Sequence, residues 1–174
     1  MNTRGLRHYL DQKAASMQAA AAAKPAGADW HDTVEATVTA GDATGVRRLR
    51  IRDWEILGDS GPAFGGYALG PSSPELLCGV LGTCLTHTYL IGAANMGIPL
   101  DHVQVRVTAQ NNDAGFLGIP TADPAVPWNI TAHIEVLADA VEVSRLATLH
   151  RYVSENCPLT NLLRRGCEIT LVTG

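Results

Sequence analysis

Of the four cysteines, Cys157 stands in surroundings that suit thiol chemistry, while Cys78 and Cys84 lie on a long uncharged stretch that reads as a domain core, a membrane span or the wall of a reactive site. Cys84 lies inside Ser73–Gly97 (SPELLCGVLGTCLTHTYLIGAANMG), a stretch whose run from Leu76 to Leu100 holds no Asp, Glu, Lys or Arg, although these make up 17% of the chain. Cys157 lies in Asn156-Cys157-Pro158, where one helical pattern breaks and Thr160–Arg164 can begin a further short turn. A cysteine at a new helix start meets free backbone N–H groups, which favour the thiolate. Cys78 and Cys167 read as small buried hydrophobes. Cys78 and Cys84 are about 240° apart on a helix and share no face, so they do not ligate one metal together. Cys84 and His87 can face the same side at i, i+3. With no C-x-x-C or H-E-x-x-H in the chain, no metal site is expected, and His87 reads as an ordinary core or surface histidine.

The elements that must position these thiols follow from patterning. Ser73 suits an N-cap, Pro74 the first helical position and Glu75 the positive end of the helix dipole. Gly97 and Pro99 stop the helix. The stretch is long enough to span a membrane, but Gly79, Gly82, Thr83, Thr86, His87, Thr88, Gly92 and Asn95 make lipid exposure costly, so burial within protein is expected. Upstream, Thr3–Ala23 reads as a peripheral helix with a weak stripe of Leu6, Tyr9, Leu10, Lys13 and Met17. Thr33–Ala40 alternates as a strand, Gly41-Asp42-Ala43-Thr44-Gly45 turns, and Val46–Trp54 returns. On the return strand Arg47 shares a face with Leu49 and Ile51, while Arg48, Arg50 and Arg52 share the other. Arg47 therefore snorkels at the strand end or points into a site. Glu55–Pro71 reads as a Gly-rich loop without a phosphate-binding fingerprint.

Downstream, Asp101–Gln110 and Asn129–Ala138 are alternating strands joined by the loop Asn111–Pro127. Asp139 and Glu142 resemble a capping box ahead of a helical stripe of Val143, Leu146, Ala147, His150 and Val153. Cys167–Val172 reads as a closing strand. The order α, β, β, long α, β, β, α, β indicates an α+β fold with antiparallel sheet. The net charge of −4 favours neither nucleic acid nor an anionic membrane surface as partner. Arg4 and Arg7 are followed by a polar, Ala-rich segment instead of an apolar core, so no signal peptide and a cytoplasmic, reducing setting are expected.

Pro74 to Cys84 (PELLCGVLGTC) resembles the first cysteine motif of the OsmC/Ohr family, and Asn156-Cys157-Pro158-Leu159 resembles its second. Ile98-Pro99-Leu100, the Val103–Val107 strand and Gly115-Phe116-Leu117-Gly118 are similar to the longer OsmC-like members. The two motifs stand in order, 73 residues apart. The resemblance covers residues 33–174 and leaves 1–32 as an N-terminal helix and linker. It implies an OsmC-like α+β fold, with antiparallel sheets wrapped around long central helices in an intertwined homodimer. It also implies a thiol peroxidase for organic hydroperoxides or hydrogen peroxide, acting in oxidative-stress defence and using no cofactor. Cys84 would attack the peroxide and become a sulfenic acid; Cys157 would resolve it to a disulfide that an external dithiol reduces. Active members hold the first cysteine as thiolate with an Arg near the first strand turn and a Glu at the helix start. The candidates here are Arg47, the nearest inward Arg where the turn itself has Gly41-Asp42, and Glu75, one residue closer to the cysteine than in the peroxidase pattern. A second reading keeps the scaffold as a small-ligand binding protein, motivated by the displaced Arg and the 111–127 loop.

Overall fold

A computed structural model describes residues 5–41 and 43–173; Asp42 of the expected turn and residues 1–4 lie outside the described residues. In chain order the elements are α1 (Leu6–Ala23), β1 (Thr37–Ala40), β2 (Arg47–Ile51), β3 (Trp54–Gly58), a 3-10 turn at Pro62–Phe64, α2 (Ser73–Met96), β4 (His102–Gln110), α3 (Asp113–Phe116), β5 (Trp128–Leu137), α4 (Val143–Asn156) and α5 (Pro158–Arg165). The chain divides into two compact units. A thiol unit comprises Met1–Pro25, Leu81–Thr108 and Thr131–Gly174, and a hairpin unit comprises Ala26–Val80 and Ala109–Ile130.

The thiol unit holds most of the buried apolar side chains. Leu81, Leu85, Tyr89 and Ala93 of α2 are buried with Ile98 and Leu100 at the helix exit, and with Leu149, Val153 and Cys157 from the α4 side. By length and composition alone α2 could cross a membrane, yet this face of it is covered by protein. Gly92 explains how α4 comes so close. A Cβ placed there would lie 2.7 Å from Tyr152 Cδ1 and 2.8 Å from Leu149 Cδ1, so any larger residue would push the helices apart. This contact also sets the phase of α4. Its inward residues are Leu146, Leu149, Val153 and Cys157, whereas Val143 is 81% exposed and His150 is exposed, contrary to the expected stripe. The expected capping box is absent too: Glu142 is the N-cap without a side-chain bond, and Asp139 N donates to Asp101 Oδ2 at 3.0 Å.

The same Asp101 anchors α1. Arg7 Nε and Nη2 donate to its two carboxylate oxygens at 2.6 and 2.7 Å, a bidentate pair, and Leu10 is buried beside it in sequence. β4 and β5 pair. Asp101 N donates to Leu137 O at 2.8 Å, and Gln110 at the far end of β4 meets Asn129, so the two strands run antiparallel as expected. Cys167–Val172 does not form the expected closing strand. Among the described residues nothing pairs with it, and Ile169, Leu171 and Val172 are exposed. An isolated strand cannot satisfy its backbone groups without an edge to join.

The hairpin unit is an antiparallel sheet in the order β1-β2-β3. β1 is shorter than the expected Thr33–Ala40 because its partner runs out: Thr37 pairs with Arg50, and one residue beyond Ile51 the chain already turns. Arg52 sits in the left-handed region at φ 53°, and Ile51 pairs with Trp54 across a two-residue turn. Trp54–Gly58 is therefore a third strand and not part of a loop. Beyond it the buried carboxylate of Asp59 organises the chain, accepting N–H from Ser60 (2.7 Å), Tyr67 (2.9 Å) and Leu69 (3.1 Å). These bonds, foremost that from Leu69, hold the acid below its ordinary pKa, with Arg47 nearby adding to the effect. The N-cap of α2 is Ser72, one residue before the expected Ser73. Leu76 N donates to Ser72 O, and Glu75 Oε2 accepts from Ser72 N at 2.7 Å and Ser72 Oγ at 2.8 Å, the carboxylate half of a capping box.

Candidate active site

Cys84 sits in the middle of α2 and Cys157 at the junction of α4 and α5, within one unit. Their sulfurs are 3.6 Å apart and both are free thiols. The junction arises because Pro158 has no N–H to continue α4 but is well suited to the first turn of a new helix. Cys157 caps both helices: its N–H donates back to Val153 O at 3.0 Å, and its carbonyl accepts from Asn161 N at 3.0 Å. The expectation that Cys157 stands at a helix start is met, and the "short turn" that follows it is the eight-residue helix α5.

The two thiols differ in environment. Cys84 is partly exposed, while Cys157 is fully buried. Burial pushes the Cys84 thiol up, and the neighbouring Cys157 adds to this, against the Leu159 N–H. Burial also acts most strongly on Cys157, but Thr160, Cys84 and Thr88 together outweigh it, and that thiol lies below its ordinary value. Thr88, one turn after Cys84, commits its hydroxyl to the Cys84 carbonyl at 2.8 Å.

A second link joins the same two helices. Tyr89 Oη lies 2.7 Å from His150 Nδ1, with the rings edge to face at 5.6 Å. Burial raises the phenol to about 12. His87 is exposed, with Nε2 3.3 Å from Lys13 Nζ of α1. Cys78 is half-buried and Cys167 is exposed, so Cys167 is not the buried hydrophobe expected of it.

Arg47 and Glu75 belong to the hairpin unit. Arg47 Nη1 donates to Gly45 O at 3.1 Å. Glu75 is held below its ordinary pKa by the Ser72 N–H and hydroxyl that it caps. Thr160, Leu159, Tyr89 and His150 had not been singled out for the site. Thr160 was legible in principle as the third residue after a cysteine at a helix start, where a capping partner sits.

A family model for OsmC-like protein matches residues 65–172. The chain belongs to the OsmC-like family. Its solved neighbours share the fold at low identity. An OsmC-like protein from Mycoplasma pneumoniae superposes with a TM-score of 0.65 at 19% identity, covering 76% of this chain and 88% of that one. An organic hydroperoxide resistance protein OsmC from Legionella pneumophila gives 0.55 at 15%, covering 78% and 92%. The organic hydroperoxide resistance protein OhrB of Bacillus subtilis gives 0.50 at 16%, covering 78% and 93%. No curated protein matches the sequence. The mixed helix-and-sheet architecture with antiparallel sheets is thus the OsmC/Ohr fold.

Proposed function

We propose that this OsmC-like protein is a thiol peroxidase of oxidative-stress defence, in which Cys84 attacks the peroxide and Cys157 resolves the product. The observation that carries the reading is the 3.6 Å between two free thiols of unequal exposure. A disulfide needs sulfurs about 2.05 Å apart, so closure requires only a small side-chain movement. Solvent access assigns the roles: an external peroxide reaches the partly exposed Cys84, while buried Cys157 suits an internal second step. The Cys84 sulfur attacks one peroxide oxygen, the O–O bond breaks and an alcohol or water leaves. The Cys157 thiolate then displaces hydroxide from the sulfenic acid, and an external dithiol returns the pair to thiols. Solved neighbours described as organic hydroperoxide resistance proteins support a hydroperoxide substrate.

Arg47 and Glu75 are the charges we assign to assist Cys84, through a guanidinium that favours thiolate and a carboxylate that steadies it. The working form we propose is an intertwined homodimer in the cytoplasm. The unpaired, apolar Cys167–Val172 segment supports a second copy, because it needs a strand edge that the described chain does not offer. The assay is peroxide consumption with dithiothreitol, comparing cumene hydroperoxide with hydrogen peroxide. We expect Cys84→Ser to lose at least a hundredfold and Cys157→Ser to turn over poorly while accumulating sulfenic acid. Equal, slow consumption by wild type and Cys84→Ser would remove the peroxidase.

One observation favours a second reading, a small-ligand binding protein on the same scaffold: burial raises the Cys84 thiol, which weakens it as a nucleophile. A co-purified small molecule seen by native mass spectrometry, together with unreactive Cys84, would select that reading.

A further inference from the structure

Thr160 carries a feature that the peroxidase scheme does not use. Its hydroxyl oxygen is fully buried and has no hydrogen-bond partner. Leaving such a group unpaired costs about 1–3 kcal/mol, so a buried hydroxyl without a partner points to a state in which it has one. Thr160 is the third residue after Cys157, whose carbonyl already accepts the first bond of α5 from Asn161. At this position in a helix, the side chain of the capping residue normally accepts from the third residue's N–H. Cys157 makes no such bond as a thiol, because a thiol sulfur is a weak acceptor. A thiolate is a strong one.

We propose that Thr160 is a positioning residue for Cys157: its hydroxyl and N–H accept the role of donors only when Cys157 ionises, and so they store the negative charge of the thiol pair on the buried sulfur. The proposal rests on the peroxidase reading for its use, not for its test. Thr160 is also the foremost influence that lowers the Cys157 thiol. In the catalytic scheme the consequence falls on the second step. Cys157 S⁻ attacks the sulfenic sulfur of Cys84; the S–S bond forms, the S–O bond breaks, and the departing hydroxide takes a proton from solvent. No proton has to be removed from Cys157 at that moment, and Thr160 keeps its own proton throughout.

The test is the thiolate absorbance at 240 nm as a function of pH, measured on the full chain in a Cys84→Ser background. Subtracting the same protein carrying Cys157→Ala isolates the titration of Cys157. Thr160→Val keeps the β-branched shape and removes an unpartnered buried hydroxyl, so its melting temperature should hold or rise. It should nevertheless shift the Cys157 midpoint upward by about one pH unit. Thr160→Ser should restore the parent midpoint. In the otherwise wild-type chain, Thr160→Val should slow disulfide closure about tenfold at pH 7 after one equivalent of peroxide. A Thr160→Val midpoint equal to the parent's overturns the proposal, as does an equal upward shift in Thr160→Ser. The titration contains no peroxide, so failure of the peroxidase assay leaves this result standing, and the reverse also holds.

Discussion

The two compact units are held together by different physics. In the thiol unit, apolar side chains from α2, the helix exit and α4 bury one another, and Gly92 lets the helices approach. In the hairpin unit, Val46 is the one buried large apolar side chain among the described residues, and the Asp59 carboxylate is buried more deeply than it. Trp54, Phe64, Tyr67 and Leu69 of that unit are exposed. One unit is closed by hydrophobic burial and the other by backbone hydrogen bonds to a single acid. The difference teaches that the thiol pair is mounted on the unit with the apolar core, while the hairpin unit carries exposed aromatic side chains.

The sharpest way to break this contrast is a core truncation. Leu149→Ala should cost about 2–5 kcal/mol of global stability by chemical denaturation, since Leu149 is fully buried beside Gly92. The matching lesion in the hairpin unit is Asp59→Asn. An amide keeps one acceptor but turns the other into a donor facing the N–H groups of Tyr67 and Leu69. Limited proteolysis should then nick within residues 60–70, with a much smaller change in the global melt than Leu149→Ala produces. If Asp59→Asn unfolds the whole chain as readily, the contrast between the units is lost.

The smallest effect concerns α1. Asp101 is held at about 2, first by the Arg7 side-chain bond and then by the Asp139 N–H. A carboxylate lowered in this way stabilises fully above its ordinary value near 4 and loses that contribution as the pH falls through 2. Pepsin cleavage within α1 should therefore accelerate from pH 4 to pH 2 in wild type beyond the protease's own pH response. Asp101→Asn should be cleaved readily across that whole range. Unchanged cleavage in the variant would mean that Leu10 and its neighbours, not the ion pair, hold the helix.

How much of this was legible depended on whether a signal was local. The charge-free run from Leu76 to Leu100 marked α2, and alternation of Val103, Val105 and Val107 marked β4, because each pattern reports one element's own burial. The junction at Cys157 was legible for the same reason: Asn-Cys-Pro breaks one helix and starts the next. What failed was relational. β3 was hidden because a left-handed Arg52, not a glycine, makes the turn. The face of α4 was misplaced because the contact with Gly92 chooses it. Cys167–Val172 has the alternation of a strand, but alternation says nothing about where a partner edge comes from. At the site, the two cysteines stand out by their motifs, whereas the one sequence signal for Thr160 is its place three residues after Cys157, and its unpartnered hydroxyl shows only in the structure.

The Tyr89–His150 hydrogen bond has a mechanical consequence. Tyr89 lies five residues after Cys84 on α2, and His150 lies seven before Cys157 on α4, so the 2.7 Å bond is a rung of fixed length between the two helices that bear the sulfurs. That rung resists sliding of the helices past one another. In the proposed scheme, making and breaking the disulfide would then be a matter of turning two side chains about their first torsion angles, like a latch moving in a braced frame.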